Sequence, residues 1–146
     1  MSDDEYDCLK LENQVCFPLY VCSKGIVRRY APFLEPLGLT YTQYITMMVL
    51  WEYGEMTVKE LGMKLHLDSG TLTPLLKKME EKGYIVRERN STDERSVIIR
   101  TTEEGDLLKE RAKSVPSSMR SCIDMDPEEA LVLQKLLQKI IMSLDE

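Results

Sequence analysis

The stretch "TVKELGMKLHLDSGTLTPLLKKMEEKGYIVRERNSTDERSVIIRTT", Thr57 to Thr102, decides the fold. Thr57 and Glu60 have the spacing of a capping box, and Val58, Leu61 and Leu65 fall on one face of the short helix it opens. "HLDSG" interrupts that pattern, and a second helix is predicted from about Ser69 to Lys82, stopping before Gly83. Two short helices around a tight polar turn read as a helix-turn-helix pair. Directly after them, "YIVRER" and "SVIIRTT" read as two β-runs joined by the polar "NSTDE". A hairpin appended to the second helix of such a pair makes a winged helix-turn-helix.

Working outward, Thr40 and Gln43 repeat the capping-box spacing ahead of a helix with Tyr44, Ile45, Met48 and Val49 inward and Gly54 as its stop. Upstream, Val15, Leu19, Cys22 and Ile26 step by about one turn, predicting a first helix that ends near Pro32 and Pro36. Downstream, Thr101 and Glu104 are expected to cap a fifth helix. Asp126 followed by Pro127 opens the last one, with Leu133, Leu136, Leu137, Ile140, Ile141 and Leu144 on one stripe. The predicted class is mainly α with a small β-hairpin wing. Residues 40–104 form the winged helix-turn-helix domain, and 1–39 with 105–146 form a helical dimerisation region. The stripes on the first and last helices exceed what so small a wing domain needs for its own core.

The chain has 146 residues and a net charge of −6, yet Met56 to Arg100 holds nine Lys and Arg against seven Asp and Glu, a local balance of +2 against −8 elsewhere. Basic groups are concentrated where the wing is predicted, and charge beyond a Debye length of about 8 Å is screened at physiological salt. The longest nearly apolar run, "YITMMVLW", is far short of the roughly 20 residues that cross a bilayer. The N-terminal "MSDDEYD" is acidic where a signal peptide is basic, so a cytoplasmic protein without membrane contact is expected. Four cysteines stand at 8, 16, 22 and 122 with no CxxC, and His66 is the only histidine. No metal, no other cofactor and no enzymatic constellation is expected from that inventory.

In a winged helix-turn-helix the second helix of the pair enters the major groove. Here its exposed half carries Ser69, Gly70, Thr71, Thr73 and Pro74, then Lys77 and Lys78. The hydroxyls suit base edges and phosphates, glycine permits close backbone approach, and the lysines neutralise phosphates. Taken alone these residues read better as a capped helix with a solvated face; the hairpin tips the balance. Arg87, Arg89 and Arg95 cluster on and beside its loop, and arginine on a thin projection suits the narrow minor groove. Asp93 is placed to orient the Arg95 guanidinium. Double-stranded DNA is the expected partner, read by a homodimer over two half-sites.

With these elements in place, the chain resembles the MarR family of transcription regulators, and within it the organic-hydroperoxide-sensing repressors. The likeness runs from about Leu9 to the C-terminus and is carried by "LENQVCF", "GLTYTQY", "LDSGTLTPLLKKME" and "DERSVIIRTTEEG". It implies a reactive cysteine at Cys16, with Tyr30 and Tyr41 hydrogen-bonding its thiolate across the dimer. The thiolate is what attacks a peroxide, and an unassisted thiol is mostly protonated at neutral pH. Pro18 cannot donate to the carbonyl of Gln14, so the first helix either begins close to Cys16 or bends there. Oxidation gives a sulfenic acid that condenses with a second thiol. Cys22 is a poor partner, because six helical residues rise about 9 Å against a limit near 7 Å between bridgeable Cα atoms. The resemblance implies Cys122 of the other subunit as resolving thiol; a mixed disulfide with a low-molecular-weight thiol is the other route.

The expected function is a redox-sensing repressor, bound to a pseudo-palindromic operator as a homodimer and released when an organic hydroperoxide oxidises Cys16. Two alternatives stand beside it: a MarR-type repressor answering to a small aromatic ligand, and a thiol peroxidase using Cys16.

Overall fold

The structure, a computed structural model, describes residues 5–145; the first four residues of the acidic N-terminal stretch and Glu146 lie outside it. The chain forms two compact units that divide after Val115.

In the larger unit two 3-10 turns, Asp7–Leu9 and Leu11–Asn13, precede helix α1, Cys16–Leu34. Helix α1 begins at Cys16, with Val15 as N-cap and no capping side chain, and runs through Pro32 into a 3-10 turn at Glu35–Leu37. Pro18 therefore sits in the first turn, where a missing N–H costs nothing, so the helix starts at Cys16 and does not bend there. Helix α2, Tyr41–Tyr53, has the full capping box: Thr40 Oγ1 accepts from Gln43 N–H, and Gln43 Oε1 accepts from Thr40 N–H. Gly54 ends it as expected. Its inward face differs from the expectation, because Tyr44, Met47 and Leu50 are buried while Met48 is 43% exposed. "YITMMVLW" is apolar nearly all round, so spacing alone cannot choose between neighbouring methionines. Thr46 is also inside, with its hydroxyl satisfied by the Thr42 carbonyl at 2.7 Å.

A two-residue strand β1, Met56–Thr57, leads into α3, Val58–Leu65, whose Thr57–Glu60 box is fully formed. His66, at φ 54°, closes α3, and Asp68 caps α4, Ser69–Glu81, by accepting from Thr71 N–H at 2.7 Å. Strands β2, Ile85–Arg89, and β3, Val97–Thr101, pair antiparallel, with Arg89 opposite Val97. Strand β1 adds to the free edge of β3, Met56 opposite Ile99, giving the order β1-β3-β2. Two residues are too few for an alternating pattern, which is why only the hairpin was legible.

Helix α5, Glu103–Ala112, is capped by Thr102, which accepts from Gly105 N–H at 3.1 Å, and not by the expected Thr101. Thr101 ends β3 and donates its hydroxyl to Asp106 at 2.7 Å. The core gathers Leu61, Leu72, Leu76, Met79, Ile85 and Ile99 with Leu34, Met47 and Leu108. Apolar side chains of five helices, α1 to α5, thus share one core with the small sheet.

The smaller unit, Pro116–Glu146, holds most of α6, Val115–Ser121, which no sequence signal announced, and α7, Pro127–Leu144. Asp126 is the N-cap with Pro127 in the first turn, as read from sequence, and Glu129 completes a capping box with it. Helix α7 has no buried residue; Leu133, Leu136, Ile140, Ile141 and Leu144 are all exposed. Among the described residues, no helix is long and apolar enough to cross a membrane.

Candidate functional site

The predicted reading face is built by the amphipathic division of α4. Leu72, Leu75, Leu76 and Met79 are buried, which turns Ser69, Gly70, Thr71, Thr73, Pro74, Lys77 and Lys78 outward to solvent. Asp68, beside this face, is held below the ordinary carboxylate range chiefly by the N–H of Thr71, so at neutral pH it stays ionised and keeps the helix start ordered. Pro74 lies in the second turn, where it cannot donate to the Gly70 carbonyl.

The wing loop is ordered by its own side chains. Asn90 Oδ1 accepts from the N–H and hydroxyl of Thr92 at 3.1 and 2.9 Å, and Asn90 N–H donates to Ser96 O. Asp93 Oδ1 accepts from the backbone N–H of Arg95 at 3.0 Å. This differs from the expectation that Asp93 orients the guanidinium: an Asx-type contact two residues on is nearer and fixes backbone instead. Arg89 and Arg95 are exposed. Arg87, expected to face DNA with them, is turned inward: its backbone N–H and Nη2 both donate to the Glu80 carboxylate at 3.2 Å, tying β2 to α4. That contact is also the main reason Glu80 is held below its usual range. Two arginines thus remain outward where three were read. On the strands, Arg100 forms a bidentate pair with Glu88 at 2.7 and 2.9 Å.

The candidate thiol site is split between two ends of α1. Cys16 opens the helix and is exposed, as are Cys8, Cys22 and Cys122. Cys16 and Cys22 share α1, which keeps them too far apart to bridge. Cys122 follows α6, its N–H bonded to Met119 O at 3.0 Å. Tyr30 and Tyr41 are together, ring centroids 4.9 Å apart, but fourteen residues of one helix place Tyr30 about 21 Å along the axis from Cys16. Tyr44 joins them at 5.8 Å from Tyr30. Burial, followed by the neighbouring phenols, raises the pKa of both Tyr30 and Tyr44, which keeps them as O–H donors at neutral pH. Tyr44 was not singled out from sequence, where it is indistinguishable from any inward aromatic residue. Among the described residues, no three His, Cys, Asp or Glu gather as a metal site.

Comparison with known proteins agrees with this architecture. The family described as "Transcriptional regulator SarA/Rot" matches residues 28–112. An organic hydroperoxide resistance transcriptional regulator of Bacillus subtilis is 43% identical over 144 residues, spanning 99% of this chain and 98% of its own. Reduced AbfR bound to DNA is 34% identical, covers 96% of this chain and 99% of its own, and superposes with a TM-score of 0.78. Disulfide-formed AbfR, also 34% identical over 97% and 99%, gives 0.65. A MarR mutant from Escherichia coli in complex with operator DNA, 23% identical over 95% and 99% with a TM-score of 0.79, shares the fold. The matching family and the Bacillus subtilis relative are both named as transcriptional regulators, not as enzymes. A reading helix, a wing and relatives of this identity along nearly the whole chain lead to one conclusion: the protein belongs to the MarR-like winged-helix DNA-binding transcription regulators, of the organic hydroperoxide resistance regulator type.

Proposed function

We propose that two copies of the chain, joined through residues 1–39 and 105–146, bind a pseudo-palindromic operator as a repressor and let go when Cys16 is oxidised. The observation that carries this is Cys16 itself, an exposed thiol at the first position of α1, where the backbone N–H groups have no intrahelical acceptor and the helix dipole favours an anion. The apolar side chains left exposed on the same helix, Phe17, Val21 and Ile26, together with the bare stripe of α7, support burial against a second copy. Because about 21 Å of helix separates Cys16 from Tyr30 in one chain, a phenol–thiolate hydrogen bond between them requires the partner's tyrosines.

The chemistry then runs in two balanced steps. The Cys16 thiolate attacks the outer oxygen of an organic hydroperoxide, the O–O bond breaks, and the alkoxide leaves and takes a proton. The sulfenic acid next condenses with a thiol, releasing water and forming a disulfide. Cys122 of the other subunit is the proposed resolving thiol, with a low-molecular-weight thiol as the competing route; AbfR, which is similar over nearly the whole chain, is known in a disulfide-formed state. Release follows because both half-sites must be held at once.

The test is an operator gel shift with cumene hydroperoxide. Wild type is expected to dissociate, and Cys16→Ser to bind normally and stay bound. A Cys16→Ser protein still released by the hydroperoxide ends the proposal.

A further inference from the structure

The junction between α1 and α2 is closed in an unusual way. The chain leaves the 3-10 turn at Gly38, φ +68°, with Leu39 N–H bonded to Leu34 O at 3.2 Å and Gly38 N–H to Glu35 O at 2.9 Å. These are the two reverse bonds of a Schellman ending, which needs a left-handed residue and so favours glycine. They leave the carbonyls of Pro36, Leu37 and Gly38 without a backbone donor among the described residues.

Each of the three takes a side-chain donor from a different element beyond α2. Arg111 Nη2, on α5, donates to Pro36 O at 2.5 Å; Tyr84 Oη, one residue before β2, donates to Leu37 O at 3.1 Å; and Lys82 Nζ, at the end of α4, donates to Gly38 O at 2.6 Å. Lys82 Nζ also donates at 3.0 Å to Gln43 Oε1, the oxygen that accepts from Thr40 N–H at the start of α2. Two of the donors are cations at the negative end of α1. Lys82 is therefore engaged at the turn, whereas Lys77 and Lys78 on the same helix face solvent.

We propose that Lys82, Tyr84 and Arg111 form a clasp on the α1–α2 turn that couples the sensing helix to the reading helix and wing. A displacement of α1 caused by oxidation of Cys16 then moves α4 and the hairpin with it, and is not absorbed in the turn. The three are positioning residues, in contact with neither the thiol nor the outward face of α4. The inference rests on the reading of Cys16 as the sensor.

The clasp is tested with Tyr84→Phe alone and with the combination Lys82→Met, Tyr84→Phe and Arg111→Met, which keeps apolar bulk while removing every donor. Operator Kd is measured by fluorescence anisotropy before and after cumene hydroperoxide, with mass spectrometry confirming equal oxidation of Cys16 and thermal melts recording stability. Reduced affinity is expected to stay within about threefold of wild type. The oxidised-to-reduced Kd ratio is expected to fall about tenfold in the combined variant and part of the way in Tyr84→Phe, within the roughly 5–150-fold range of allosteric couplings. An unchanged ratio beside a lowered melting temperature would show that the clasp only stabilises the fold, and overturns the inference. Wild type that stays bound although Cys16 is oxidised removes the sensor reading, and the coupling goes with it.

Discussion

Arg87 and Arg95 lie eight residues apart on the same hairpin, and replacing each with alanine should give opposite signatures. Arg95 is exposed at the wing tip, and among the described residues its one hydrogen bond runs from its backbone N–H to Asp93, which alanine preserves. Each neutralised phosphate contributes about 0.9 to the slope of log K against log salt. If the proposed dimer sets Arg95 of each copy on a phosphate, it would lose two such contacts, so the slope of Arg95→Ala should be shallower by about 1.8. Between 50 and 200 mM salt, a factor of four, that is about a twelvefold smaller loss of affinity. Arg87 is instead bound to Glu80, side chains 26% and 39% exposed. Its removal should leave the slope alone and lower stability by about 1 kcal/mol or less, since solvent screens a half-exposed pair. Anisotropy titrations at four salt concentrations and urea melts on the same preparations read both quantities. A slope unchanged in Arg95→Ala, or reduced by the same amount in Arg87→Ala, refutes the division of labour drawn from the hairpin.

The Glu80 carboxyl, depressed from its ordinary 4.5 by Arg87, contributes stability above that value and loses it as pH falls through the lower folded value. The stability gap between wild type and Arg87→Ala should accordingly shrink below about pH 4.5, and a gap that widens in urea melts from pH 6 to 3 would reverse the sign. Leu136→Lys with Ile140→Lys, on the bare stripe of α7, should give a folded monomer by sedimentation with operator affinity lowered at least a hundredfold; an intact dimer would take α7 out of the interface. A Cβ at Gly105 would lie 2.2 Å from the Tyr84 carbonyl oxygen, so Gly105→Ala should cost about 1–3 kcal/mol or more, and a variant as stable as wild type in urea would show that α5 shifts freely.

The parts that were legible in sequence are those governed by local rules. Two capping boxes, at Thr40 and Thr57, and the N-cap at Asp126 formed as spaced, because each is settled within four residues. Where a choice depended on tertiary partners, local rules were insufficient. Thr101 and Thr102 are equivalent cap candidates until β3 claims the first as its last paired residue. Arg87 and Arg89 share the strand face of the buried Ile85, and nothing in local spacing shows that Glu80 on α4 binds Arg87 there while Arg89 stays exposed. The clasp on Pro36, Leu37 and Gly38 left no trace in spacing, since its donors come from 44 to 75 residues away.

The size of the motion needed for release can be bounded from the geometry of DNA. Half-sites one helical turn apart lie about 34 Å from each other, so each reading helix stands about 17 Å from the two-fold axis of the proposed dimer. Rotating each winged unit by about 10° carries its helix about 3 Å, close to the rise of one base pair. In the proposed complex Ser69, Thr71 and Thr73 would then face the wrong step in both grooves, and Lys77 and Lys78 would slide past the phosphates proposed for them. A hundredfold loss of affinity is about 2.7 kcal/mol, or less than 1.4 from each half-site, which one displaced charge-assisted contact per protomer supplies. Added oxygen or a disulfide at the end of a helix spanning about 28 Å is a sufficient lever for that rotation only if the far end of the helix does not yield. In the proposed switch, stiffness at the α1–α2 turn, and not the reactivity of the sulfur alone, would therefore set how much of an oxidation event reaches the operator.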